Sequence, residues 1–155
     1  MKYSNLLSHP DKLLETHVSQ VYKIAVKLFE KEKINDRVLK DLLSIIVFSH
    51  DIGKSTYFFQ EYIRGNRQLK NKPETKHSLL GAVIGFYIMD RYLISKNLQH
   101  PFLLSLAFIL PKRHHSDLRD FVEDLILSDE EIKILQKQIE SINKEKFKLF
   151  FESLK

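Results

Sequence analysis

The sequence predicts an all-α fold, and three observations carry that prediction. Only 4 Gly and 4 Pro occur in 155 residues, so helix breakers are scarce. Leu, Ile, Lys and Glu are abundant, a composition that favours helices over strands. Apolar residues recur at three- and four-residue spacing through most of the chain, whereas alternating strand patterns are weak. With 43% apolar residues, a chain of this length makes one domain that buries its own core.

The elements follow in order. A first helix is expected from an Asp11 cap to about Lys31, with Leu14, Val18, Val21, Ile24, Ala25 and Leu28 on one apolar face and His17 beside it. Asp36 caps a second helix, whose run over residues 38–48 is too apolar for a surface element. It is the expected central helix and ends near His50. A short helix over about residues 55–63 carries Tyr57, Phe58, Phe59 and Tyr62, of which at least two should be core. Residues 64–76, RGNRQLKNKPETK, read as a surface loop.

A third long helix runs from near His77 to about Ile94, and Gly81, Ala82 and Gly85 predict close approach of another helix. Pro101 starts the next helix, and Pro111 predicts a kink or break just before His114 and His115. Asp117 is expected to cap a short helix. Ser128 should cap another, with Glu131 completing a capping box. A last amphipathic piece covers residues 144–155. The expected architecture is a single compact domain, residues 1–155, of about six to eight helices around the central apolar one, with no repeat or linker.

Composition narrows the chemistry. There is no cysteine, which excludes disulfides and thiolate metal sites, suits a reducing cytoplasm, and leaves His and carboxylate to hold any metal. Neither a signal-type apolar core nor a charge-free bilayer span stands out, so a cytoplasmic protein without membrane contact is expected. The net charge of +5 permits nucleic acid binding without requiring it.

The stretch SHDIGKSTYFFQEY, residues 49–62, ends an apolar helix on His50 and Asp51, with Lys54 three residues after Asp51. A helix end often carries polar residues for its macrodipole. A His-Asp pair also ligates metal when further histidines arrive. His9 and His100 each precede a proline and have local explanations, but His17, His77, His114 and His115 all sit on or at the ends of helices that would face one interior. Any one of them is accounted for by a core or boundary role; with His50 they make five, which are harder to dismiss. Neutral imidazole suits transition metals, and one carboxylate can bridge two ions.

The order His17, His50-Asp51, His77 within KHSLLGA, and His114-His115 resembles the HD superfamily of metal-dependent phosphohydrolases. It looks most like the HD nuclease part of the CRISPR type I interference nuclease-helicase, over roughly residues 15–118. The resemblance implies one metal on His17, His50 and Asp51, and a second on Asp51, His77, His114 and His115. It implies a further late aspartate completing the first site, which this sequence does not supply convincingly; the chain then reads as a fragment or short form lacking a late helix.

The same resemblance implies a catalytic centre at Asp51 and Lys54. Metal-activated water would attack phosphorus there, with Lys54 neutralising phosphate charge or assisting the leaving group; its alternative is a solvent-facing helix-end lysine. Imidazole ligation points to one or two Mn, Ni, Co or Fe ions over Mg. The implied substrate is single-stranded DNA, and the implied partners are a helicase and a guide-RNA effector complex in antiviral defence. Arg64, Arg67, Lys70, Lys72 and Lys76 face only Glu74 in the loop and could track a phosphate backbone. The competing readings are hydrolysis of small nucleotides and a helical docking module with an incomplete site.

Overall fold

A computed structural model describes residues 4–154. Among these residues the chain forms eight α-helices: α1 (Leu14–Lys31), α2 (Arg37–Ser49), α3 (Tyr57–Ile63), α4 (Ser78–Ser95), α5 (Pro101–Arg113), α6 (Phe121–Leu125), α7 (Asp129–Glu140) and α8 (Lys144–Ser153). Single 3-10 turns lie at Ile52–Ser55, Arg67–Leu69 and Pro73–Thr75. The fold is all-α, with one addition. Two short antiparallel strands, β1 (Leu7–His9) and β2 (Lys12–Leu13), form a hairpin ahead of α1.

That hairpin changes the start of the first helix. Asp11 lies in its turn, and α1 begins at Leu14 without a side-chain cap. Its first amide instead donates to the Leu6 carbonyl at 2.8 Å. The hairpin is held by the buried Gln60 of α3, whose amide group both donates to the Leu7 carbonyl (2.8 Å) and accepts from the Leu7 amide (3.0 Å). A local sequence pattern cannot reveal a partner so far along the chain.

The apolar face of α1 is buried at Leu14 and Val18, but Ile24 and Leu28 are exposed. Periodicity tells which residues share a face, not how far the covering helix extends. Asp36 caps α2 by accepting from the Leu39 amide at 3.0 Å. α2 packs against α1, α4 and α5, as a central helix must. Leu42 and Ile45 from α2, Met89 and Leu93 from α4, and Leu103 and Ala107 from α5 form one cluster. By length and apolar composition alone α4 would qualify to cross a membrane, which the sequence reading had not expected of any segment. Here it packs against α2, α5 and α7.

The small residues of α4 do bring backbones together. A Cβ at Gly81 would lie 2.4 Å from the Ser49 carbonyl oxygen and 2.9 Å from that of His50. The start of α4 is therefore pressed onto the end of α2. Pro111 lies in the last turn of α5, and the helix stops at Arg113 with His114 as its C-cap. The capping box of Ser128 and Glu131 is present at α7. The α6 cap is Asp120, not Asp117: its carboxylate accepts from the amides of Val122 and Glu123. At the far end of α6, Asp124 accepts from Arg113 at 2.9 Å. Of the α3 aromatics, Phe59 is buried and Phe58 half-buried, while Tyr57 and Tyr62 are exposed.

Candidate metal centre

Asp51 lies just beyond α2, at the start of the 3-10 turn, with its side chain only 2% exposed, and it sits where four segments meet. α1 brings His17, whose Nε2 lies 2.8 Å from Asp51 Oδ2. The end of α2 brings His50, with Nε2 at 3.4 Å from the same oxygen. The start of α4 brings His77, with Nε2 at 3.0 Å from Oδ1, and the end of α5 brings His114, at 3.4 Å from Oδ1. His115 completes the set with its Nε2 3.1 Å from that of His77. All six residues singled out in the sequence as ligand types are thus in one place, divided between the two oxygens of Asp51. Two groups have ligand atoms close enough to share an ion: Asp51, His77, His114 and His115, and His17, His50 and Asp51.

The orientation of the rings follows from the helix ends that carry them. His50 Nδ1 donates to the Val47 carbonyl (2.6 Å), and His114 Nδ1 to the Pro111 carbonyl (2.7 Å), each three residues back. A carbonyl can only accept, so the proton sits on Nδ1 and the Nε2 lone pair points at the carboxylate. This is how an outer hydrogen bond fixes the tautomer of a metal-binding histidine.

Asp51 Oδ1 and His114 Nε2 are buried without a hydrogen-bond partner, although His77 Nε2 is close enough to Oδ1. An orphaned carboxylate oxygen facing an imidazole lone pair is repulsive unless a cation lies between. The donor set, one buried carboxylate and imidazoles with free nitrogens, therefore fits a divalent transition metal.

Electrostatics agree. Burial pushes the Asp51 carboxyl up, but the imidazoles of His114 and His77, His50 and the Lys54 ammonium outweigh it and hold the group well below the usual carboxylate range. Burial lowers His17, His50 and His77 against the attraction of Asp51. Burial, together with neighbouring His114 and His77, lowers His115 to about 4. Four imidazoles are thus kept neutral at pH 7, the form that ligates.

Lys54 is not a solvent-facing helix-end residue. It is 5% exposed, its Nζ lies 2.8 Å from Asp51 Oδ2, and its ammonium stands over the Phe59 ring. No late aspartate joins the His17 group among the described residues: Asp120 caps α6 and Asp124 is paired with Arg113. His9, explained locally in the sequence, stands edge-on to His17 at 5.1 Å between ring centres, because the hairpin folds it back. Its one sequence signal was the His-Pro-Asp turn.

A cleft of about 1000 Å³ opens beside His77 and His115, with Phe59 and Tyr62 at one side and α6 and α7 at the other. Several of its charges are internally matched: Arg113 with Asp124, and Lys112 Nζ with Glu131 at 3.5 Å. Of the loop residues, Lys76 reaches this cleft, whereas Arg64 is turned away to the Gln60 and Asn5 carbonyls.

A family model described as HD domain matches residues 14–146. No curated protein and no solved structure matches the chain significantly.

Proposed function

The chain belongs to the HD domain family, and from that premise we propose that it is a metal-dependent nuclease acting on single-stranded DNA in CRISPR interference, beside a helicase and a guide-RNA effector complex. The family supports metal-dependent phosphohydrolysis. The finer reading draws on the order and spelling of the SHDIGK, KHS and paired-histidine motifs, and on the exposed cations Arg67, Lys70, Lys72 and Lys76 leading to the cleft. The observation that carries the site is the orphaned Asp51 oxygen facing the lone pair of His114.

Asp51, His77, His114 and His115 would hold one ion, and His17, His50 and Asp51 a second. Imidazole-rich sets favour Mn, Ni, Co or Fe over Mg. When bound, such ions supply Lewis acidity and a water acidic enough to serve as nucleophile near neutral pH. The chain's own contribution is positional. Val47 and Pro111 carbonyls hold the His50 and His114 rings with Nε2 turned inward. Lys54, buried beside Asp51, keeps a fixed positive charge at the centre where a phosphate oxygen gains negative charge. Phe59 stands edge-on to the ring of His77, 5.3 Å between centres, and supports its orientation.

Manganese-dependent cleavage of single-stranded DNA, compared with hydrolysis of nucleoside phosphates, tests this reading. Preference for the polymer is expected. A second reading, hydrolysis of a small nucleotide, is favoured by the matched charges and size of the cleft, which suit a compact ligand better than a long polyanion. Turnover of nucleoside phosphates alone would decide for it.

A further inference from the structure

Helix α7 supplies no ligand, yet it touches both walls of the four-residue group. Gln138 is fully buried, and its amide nitrogen donates to the carbonyls of Glu74 (2.9 Å) and Lys76 (2.7 Å), the residues just before His77. Lys137 adds an ion pair to Glu74 at 2.9 Å. Seven residues earlier, Glu131 reaches Lys112, which also donates to the Asp124 carbonyl at 2.9 Å. That network stands directly behind His114 and His115.

His77 is confined from the other side too. A Cβ at Gly53 would lie 2.1 Å from the His77 carbonyl oxygen, so the backbone already touches the turn after Asp51. It cannot move toward Asp51, and from the α7 side the segment before it is held by the Gln138 amide, with the more exposed Lys137–Glu74 pair beside it. Among the described residues, no hydrogen bond or ion pair joins α7 to His17 or His50. The Glu74 and Lys76 carbonyls flank the end of the 3-10 turn Pro73–Thr75, and the Gln138 amide that joins them is itself fully buried.

We propose that Gln138 is a positioning residue for His77, setting the cation affinity of the Asp51, His77, His114 and His115 group while leaving that of the His17, His50 and Asp51 group unchanged. This rests on the reading that the histidine cluster takes a divalent cation. Outer partners of metal-binding residues typically govern about 10- to 100-fold in affinity.

The test uses Gln138→Met, which keeps length and apolar contact but removes both donors. Leu135→Val, in the same helix and buried against Leu80 and Phe108, is the control for mere loss of α7 packing. Mn²⁺ is titrated by calorimetry into the full chain, and into a His17→Ala background where the four-residue group acts alone. Gln138→Met should weaken Mn²⁺ about 10-fold in both, with the weaker binding class of the full chain unmoved. Leu135→Val should lower the melting temperature and leave both classes as they were.

Amide exchange in the metal-free protein gives a readout independent of the cation. The Gly81 amide, which donates to the His77 carbonyl at 3.2 Å, should exchange faster in Gln138→Met than in Leu135→Val. Should Gln138→Met not fold, Gln138→Asn keeps the donor but is too short to reach both carbonyls, and should show the same selective loss. Unchanged Mn²⁺ affinity in the glutamine variants, or an equal loss in Leu135→Val, overturns the proposal. A wild-type chain that takes up no Mn²⁺ overturns the proposed function instead, and the exchange comparison then decides the role of Gln138.

Discussion

Replacing Gly81 with alanine puts two opposed effects in direct competition. In an exposed helix the change would stabilise by about 1 kcal/mol, because glycine has more backbone freedom to lose. At Gly81 the new methyl would lie 2.4 Å from the Ser49 carbonyl oxygen and 2.9 Å from that of His50, against 3.4 Å or more for ordinary contact. Both obstacles are backbone atoms, so no rotamer relieves them, and α4 must back away from α2 by about 1 Å. Overpacking of this kind costs about 1–3 kcal/mol; with no soft neighbour the upper end applies, and the net loss should be about 2 kcal/mol.

The displacement also has a direction. It moves His77, one turn before Gly81, away from Asp51 and His50, so the four-residue group should lose cation affinity along with stability. Urea unfolding of the metal-free protein and Mn²⁺ titration measure the two consequences separately. Gly65→Ala is the contrast: its φ of +102° strains any side chain but no atom lies within 4 Å of the added methyl, so it should cost stability without touching Mn²⁺ binding. A Gly81→Ala protein at least as stable as wild type would show that α4 and α2 do not meet as closely as described.

Asp51→Asn should abolish metal binding at both groups, since Asp51 is the member they share, whereas Lys54→Ala should slow hydrolysis with metal content preserved; elemental analysis and rates read the two apart, and equal metal loss in both would remove Lys54 from the chemistry. The group with four protein ligands should fill before the group with three, and a titration showing two equally tight sites would mean that the three-residue group has another ligand. The metal-free protein should gain stability as pH rises toward 6.5 and level off above it. The lowered imidazoles of His17, His50, His77 and His115 bind fewer protons folded than unfolded through that window. Asp51 stays charged throughout and adds no slope there. Melting temperatures from pH 4.5 to 7.5 check this, and greater stability at the acid end would contradict it.

What could be read from the sequence is what local chemistry encodes. The cap at Asp36, the Ser128–Glu131 box and the small face of α4 are local, and all three are where the pattern placed them. The convergence of His17, His50, Asp51, His77, His114 and His115 was legible because helix ends deliver polar residues inward when the helices share a core. Long-range polar contacts were not legible. The Leu7 backbone pairs with Gln60, Asp124 with Arg113, and the Lys76 carbonyl with Gln138. In each case a side chain satisfies backbone or charge far along the chain, and neither partner carries a periodic signal. The burial of Lys54 was invisible for a related reason: only the assembled carboxylate and Phe59 ring make the interior tolerable for its charge.

The meeting of four segments at one carboxylate has a consequence for how the molecule is made. Helices α1 and α2 can deliver His17, His50 and Asp51 early in synthesis, but His114 and His115 arrive only once α5 has folded against α4. A cation held by Asp51, His77, His114 and His115 would recognise the finished fold and not its precursors. Such a ligand, present at about 100 times its dissociation constant, adds about 2.7 kcal/mol to stability by mass action alone. The supply of such a cation would then set how often the chain opens to a protease and how long it survives.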